Sequence, residues 1–498
     1  MDASVRPITA SRDETVASPV AQSLSRPVFH DSSHSGARAI FVLGVSLHSA
    51  RLASRRYHSF VARFRDSLRL CSLAVLVLTL SALCARAAAP ARPDSDRTLL
   101  AQLNADFARL APETIRPASG YIRHPYLIPA GYYNQMWDWD GFFLGLHWAN
   151  QNSADAKYLR DWVLSFAASA DKDGYVAGCI TPKGPRPLFG RFAMKPFLAQ
   201  GALFAAQQLH DYNWLRAAWP AMRRIAAYRR RTQFDENWGL WFWDNAMQSG
   251  ADNNAALTND PHDRSAILAV DASVWAMRED LAMAVIAHHL GHPAQARAYA
   301  QQAAATRAAI LGKLWSPADA MFFNRRRSSG AWIRVLSWSN FLPLVDGLLS
   351  PADARRMIRC HLLNPDEIES PYGLRSLAKS DPDYNNQAII NPYSNWRGPI
   401  WINANFLDWL ALRRYGFNVE ARRLAVTLAS MLHRDIARWG SMHEDYNAET
   451  GEGLAPTPAQ SPGGHFAGFV GWNLLAQDML QCEMTKTHCI STAIPQVQ

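Results

Sequence analysis

The chain has 498 residues, 49% of them hydrophobic and 19% charged, with 18 Trp, 27 Gly and 28 Pro, a composition that excludes disordered, collagenous and coiled-coil proteins. Its formal charge of +9 is concentrated at one end, because residues 1–89 hold 11 Lys+Arg against 5 Asp+Glu and leave only +3 for the remainder. So small a balance excludes the concentrated basic face of a nucleic-acid binder.

The first feature along the chain is a leader. Residues 1–62 are rich in Ser and Arg, lack apolar periodicity, and are expected to lie outside the mature protein, ahead of the true start site. Arg63, Arg65 and Arg69 then precede an apolar run over 70–83 and the stretch A-R-A-A-A-P, the layout of a cleaved export signal spanning 63–89. The run falls short of the roughly 20 apolar residues a membrane-spanning helix needs. The expectation is a periplasmic or secreted protein without a stable membrane anchor. Of the six cysteines, Cys71 and Cys84 lie in the signal. Cys179, Cys360, Cys482 and Cys489 are too few for a disulfide scaffold. Cys482 and Cys489 stand close enough in sequence to bridge in an oxidising compartment, whereas the other two read as buried thiols.

From residue 94 the pattern is helix after helix. Apolar residues at 3-4 spacing, such as Val270, Val274, Met277, Leu281 and Val285, place one face of each segment inward. Helices are predicted near 94–110, 140–150, 155–170, 196–211, 213–230, 270–290, 293–314, 337–348, 351–361, 399–416, 417–437 and 468–481, with Pro399 in a first-turn position. Twelve helices joined by alternately short and long connections suit six helical hairpins closed into a toroid, an all-α single domain over 90–498. Four long connections, 131–141, 238–265, 383–399 and 439–467, are rich in Trp, Asn, Asp, Gly and Pro. Such loops at one end of a rigid scaffold are where sites assemble.

Nucleotide-binding, P-loop and G-x-S-x-G fingerprints are absent, as is any C-x-x-C zinc pattern. D-K-D-G at 171–174 begins like a calcium loop but carries Tyr175 and Pro182 at ligand positions, so it reads as a solvated turn. N-D-P-H-D at 259–263 is explained by turn chemistry. No metal or cofactor is expected.

The loops instead carry carboxylates among aromatic residues. One presents Asp244 and Asp252; another presents Glu444, Asp445, Glu449 and Glu452. Glycosidic bond cleavage needs an acid that protonates the leaving oxygen and a second carboxylate on the anomeric side. Trp and Tyr faces suit sugar C–H surfaces, and Asn, Asp and Arg suit the hydroxyls. The residue types alone leave open which acids matter, and whether these tryptophans stack on sugar or fill the core.

Five segments in order, M-W-D-W-D-G-F-F at 136–143, Q-S-G-A-D-N-N at 248–254, N-W-R-G-P-I-W-I-N-A-N-F at 395–406, H-E-D-Y-N-A-E-T-G-E-G at 443–453 and F-V-G-W-N at 469–473, resemble the motif series of glycoside hydrolase family 63. The bacterial members resembling mannosylglycerate hydrolase are most similar in layout, and trehalases are relatives. The resemblance implies an (α/α)6 barrel and hydrolysis of α-glycosidic bonds with inversion. It makes Asp252 the general acid and Glu444 the general base, with Asp244 the rival acid and Asp445 and Glu449 the rival bases. It places Trp139, Asp140, Asn253, Trp396, Arg397 and Trp472 around the cleaved sugar. Arg397 paired to a structural carboxylate is the competing reading. The implied partner is a small saccharide or glycoside from which glucose or mannose is released. Trehalase or debranching chemistry, and a binding barrel that has lost catalysis, are the alternatives. This chain departs from the family pattern at Gln248, Ala251 and Gly141, and in a Pro/Gly-rich insertion after T-G-E-G that reads as a lid over the leaving-group side.

Overall fold

The computed structural model describes residues 93–187, 191–257, 266–388, 394–458 and 464–494. The leader reading at 1–89, the turn at 259–263 and the centre of the insertion lie outside the described residues. Among the described residues no helix is long and apolar enough to cross a membrane.

Among the described residues there are thirteen α-helices, and all but the single turn Ala246–Ser249 alternate between two layers. These twelve are α1 (Pro93–Leu110), α2 (Asp138–Gln151), α3 (Ala156–Ala168), α4 (Leu198–Leu209), α5 (Leu215–Gln233), α6 (Val270–His289), α7 (Pro293–Lys313), α8 (Leu342–Val345), α9 (Pro351–Met357), α10 (Ile402–Arg414), α11 (Asn418–Trp439) and α12 (Leu475–Thr485). The even-numbered helices pack in sequence, α2 on α4, α4 on α6, α6 on α8, α8 on α10 and α10 on α12, and α12 returns to α2, closing an inner ring. Of the odd-numbered set, α3 packs on α2 and α4, α7 on α6, and α11 on α10 and α12, while α1 packs on α11 and α12.

Sequence chemistry separates the layers. Outer α11 buries Ala421, Leu424, Ala425, Leu428, Leu432 and Ile436, a single apolar stripe of 3-4 spacing. Inner α6 is buried on nearly every face from Val270 to Ile286, as a helix covered on both sides must be. One continuous apolar core, including Phe143, Trp162, Phe197, Trp275, Trp409 and Leu428, joins the layers. Cys482 and Cys489 form a disulfide at the end of α12. Cys179 is a buried thiol, as expected, but Cys360 is exposed.

Two expectations need correction. The domain is not purely helical. Short antiparallel strands occupy the long connections, including a three-stranded sheet of Met136–Trp137, Cys179–Thr181 and Gly184–Pro185 and a five-stranded sheet running from Trp332–Ile333 to Phe234–Asp235. Buried loop backbone must pair its N–H and C=O groups, and strands of two to four residues are too short to show alternation. Nor does Pro399 open a helix: α10 starts at Ile402. The preceding segment is kept out of the helix because Ile400 N donates to Tyr446 O at 2.8 Å and Tyr446 N donates to Ile400 O at 3.1 Å, which ties it to the loop that carries Glu444.

Candidate active site

A cavity of about 460 Å³ is lined by residues from five of the connections between helices and by the first turn of α2, within the size range of small-molecule sites. Asp252, Glu444, Trp139, Asp140, Trp396 and Trp472 all line it, together with Tyr132, Tyr133, Lys195, Ser394 and Trp401.

Local chemistry puts each acid in place. Trp139 and Asp140 project from the first turn of α2 because Met136–Trp137 pairs with Ile180 and Cys179 just before the helix starts. Asp138 then locks the turn: its Oδ1 accepts from Trp139 N at 2.7 Å and its Oδ2 from Lys195 N at 2.7 Å. Lys195 Nζ closes an ion pair to Asp138 Oδ1 at 3.2 Å. Asp252 follows a single helical turn, Ala246–Ser249, capped by Asn245, whose side chain accepts from Gln248 N, and ended by Gly250 at φ +93°. Glu444 N donates to Ala455 O at 2.6 Å. The neighbouring His443 is anchored to Asp435 of α11, which accepts from His443 N at 2.8 Å and from Tyr446 Oη at 2.7 Å.

Burial raises three carboxyls of the cavity, those of Asp252, Asp140 and Glu444. Burial raises the Asp252 carboxyl to about 6, opposed by the Ser394 hydroxyl and the Lys195 charge. Burial, followed by the charge of Asp138, raises Asp140 to about 7. Glu444 is pushed well above the usual range, chiefly by burial and then by the charges of Asp140, Asp445 and Asp252, while the Tyr132 hydroxyl acts in the opposite direction. Tyr132 Oη donates to Glu444 Oε2, and Tyr133 Oη lies 3.4 Å from Oε1. Neighbouring carboxyls in a dry cavity suppress one another's ionisation, and two hydroxyl donors favour the anion on Glu444.

The rival acids lie elsewhere. Glu449 is held by Arg375 at 2.7 Å and by Tyr384 Oη at 2.7 Å, which lowers its carboxyl despite partial burial. Asp445 is buried with Oδ1 accepting from Ala455 N. Neither these nor Asp244 and Glu452 are among the cavity-lining residues described. Asn253 and Arg397 also lie behind the wall. Asn253 Oδ1 accepts from Trp396 N at 2.6 Å, and Arg397 Nε donates to the Asn253 carbonyl at 3.0 Å while pairing with Asp383 at 3.7 Å. Both residues join the acid loop to the W-R-G-P segment.

The comparisons with known proteins show the family. The model of the mannosylglycerate hydrolase MGH1-like glycoside hydrolase domain matches residues 132–467. The chain belongs to this family. Among curated relatives, mannosylglycerate hydrolase of Thermus thermophilus is 29% identical over 143 residues, 29% of this chain and 31% of its own length. A probable mannosyl-oligosaccharide glucosidase of Schizosaccharomyces pombe is 35% identical over 151 residues, covering 28% of this chain and 17% of its own. The matched stretches thus span a third or less of those two relatives. The crystal structure of a GH63 mannosylglycerate hydrolase from Thermus thermophilus in complex with glucose shares the fold, with a TM-score of 0.57 at 19% identity over 77% of this chain and 99% of that one. Neutral trehalase Nth1 from Saccharomyces cerevisiae aligns with a TM-score of 0.54 at 16% identity over 74% of this chain and 76% of its own.

Within this family member, the departure at Gly141 has a steric cause. A Cβ at Gly141 would run into the Trp162 indole, whose Nε1 donates to Trp137 O at 3.0 Å. Ala251 is fully buried. Sequence reasoning missed Tyr132, Tyr133, Lys195 and Ser394. The Tyr-Tyr pair four residues before the W-D-W-D segment was the available signal; Lys195 and Ser394 carried none.

Proposed function

We propose that the domain is an inverting, exo-acting α-glycoside hydrolase that releases glucose or mannose from a small glycoside or oligosaccharide. The observation that carries the reading is that Asp252 and Glu444, from distant stretches of chain, line one tryptophan-walled cavity. Trp139, Trp396, Trp401 and Trp472 offer apolar faces to the sugar ring. Asp140, which also lines the cavity, offers its carboxyl to sugar hydroxyls.

In the reaction, a water oxygen attacks the anomeric carbon from the Glu444 side and its proton passes to the Glu444 carboxylate. The bond from that carbon to the leaving oxygen breaks, and the electron pair stays on the oxygen, which takes the proton of Asp252. The Tyr132 hydroxyl holds negative charge on Glu444 in the reactive state. Acid and base titrate as a coupled set: burial keeps Asp252 protonated, and the Tyr132 and Tyr133 hydroxyls oppose the same effect on Glu444. The Arg-flanked apolar run of the leader and the Cys482–Cys489 bridge support an exported, periplasmic or secreted protein.

The decisive experiment is anomer-resolved NMR on a panel of α-glucosides and α-mannosides. The first-formed sugar is expected as the β-anomer. First-formed α-anomer would overturn inversion, and saccharide binding without turnover would replace the enzyme with a binding barrel.

A further inference from the structure

The acid is gripped by a directed chain of hydrogen bonds. Trp396 Nε1 donates to Ser394 Oγ at 3.1 Å, and Ser394 Oγ donates to Asp252 Oδ2 at 2.8 Å. Trp396 and Ser394 are both buried. An indole N–H only donates, so the Ser394 oxygen is the acceptor in the first bond. Its single hydrogen is then directed to Asp252 in the second. A carboxyl proton on Oδ2 would turn that oxygen from the strong, carbonyl-type acceptor of the acid into its weakly accepting hydroxyl oxygen, so the Ser394 hydrogen bond favours the proton on Oδ1.

Taking Asp252 as the general acid proposed above, we propose that Ser394, oriented by Trp396, is a positioning residue that confines the catalytic proton to Oδ1 of Asp252. As the bond between the anomeric carbon and the leaving oxygen breaks, that oxygen keeps the electron pair and receives the Oδ1 proton. The negative charge left on Asp252 spreads onto Oδ2, where the Ser394 hydrogen bond strengthens as charge develops. The chain is therefore worth more in the transition state than in the ground state, the condition under which an interaction accelerates the chemical step. Other groups facing Asp252 are the Lys195 ammonium, which stabilises its anion, and Asp140, Tyr133 and Glu444 in the same cavity. None of these hydrogen-bonds an Asp252 oxygen among the described residues.

The test compares phenyl and dinitrophenyl α-glycosides of glucose and mannose, using the full chain, Ser394→Ala, Ser394→Thr and Asp252→Asn. General acid help amounts to roughly 100- to 10,000-fold for a poor leaving group, and dinitrophenolate needs almost none of it. Ser394→Ala is expected to lose about 10- to 100-fold in kcat on the phenyl glycoside and only a few-fold at most on the dinitrophenyl one. Its alkaline limb in kcat/KM moves to higher pH, because removing the donor raises the Asp252 carboxyl further. Ser394→Thr, which keeps the hydroxyl, restores both. Equal losses on the two glycosides with an unmoved alkaline limb would make Ser394 purely structural and overturn the proposal, while an inactive Asp252→Asn would leave the function standing. If Asp252→Asn still cleaves the phenyl glycoside, or the unaltered chain cleaves neither glycoside, the reading of the acid itself falls and the proposal falls with it.

Discussion

The Tyr132 hydroxyl donates to Oε2 of Glu444 across 312 residues of chain. A donor to a carboxylate stabilises its ionised form, so Tyr132 lowers the Glu444 carboxyl against burial. Tyr132→Phe removes that donor and lets the carboxyl rise. Because the base must be ionised, the acidic limb of the kcat/KM profile is expected to move to higher pH, with kcat reduced about 10-fold. An unshifted acidic limb would remove Tyr132 from any role in tuning the base.

Asp252→Asn and Glu444→Gln keep side-chain volume while abolishing proton transfer. Each is expected to lower kcat by about 100-fold or more, with thermal unfolding close to that of the parent. Near-normal hydrolysis by either variant, measured on a substrate the parent turns over, would reassign that carboxylate.

Asp140 illustrates the cost of keeping an acid in this cavity. Its carboxyl is raised to about 7 in the folded state, first by burial and then by Asp138. The folded protein therefore binds this proton more tightly than the unfolded chain does, and the group reduces stability as pH rises through the window from about 4 to 7. Asp140→Asn is expected to stabilise the fold by on the order of 2 to 4 kcal/mol above pH 7 and to lose that advantage near pH 4. Activity is expected to fall in the same variant. Unfolding followed across pH checks the sign, and an advantage independent of pH would contradict it.

Gly131 lies next to Tyr132 at φ +64°, where a Cβ would overlap the Gly468 carbonyl oxygen. That carbonyl accepts from Tyr132 N at 3.3 Å. Gly131→Ala is expected to destabilise the protein by about 2 kcal/mol or more and to disturb Glu444 through the displaced tyrosine. Calorimetry and kcat should therefore change together. A fully stable, fully active variant would show that the Tyr132 loop has room to spare.

Much of the architecture was legible from periodicity. All twelve predicted helices have a counterpart, because each buries a stripe or a whole circumference of apolar residues, and the 3-4 spacing records that burial. The Pro399 prediction failed because Ile400 spends its backbone groups on Tyr446 rather than on a helical turn. The short strands were invisible because two residues cannot display a period of two. At the site, W-D-W-D and H-E-D-Y-N mark segments whose residues do reach the cavity, whereas Arg397 turns to Asp383 and the Asn253 carbonyl.

What the sequence determined by itself is the set of helices, the family motifs and the pool of candidate carboxylates, since these depend on local spacing and on residue types. Which acids share a cavity was decided only by closure of the inner ring, because that contact depends on segments hundreds of residues apart. The same closure gave Glu449 to Arg375, Glu444 to Tyr132 and Asp252 to Ser394. A carboxyl takes its chemistry from the burial, charges and donors around it, and folding alone assembles those neighbours.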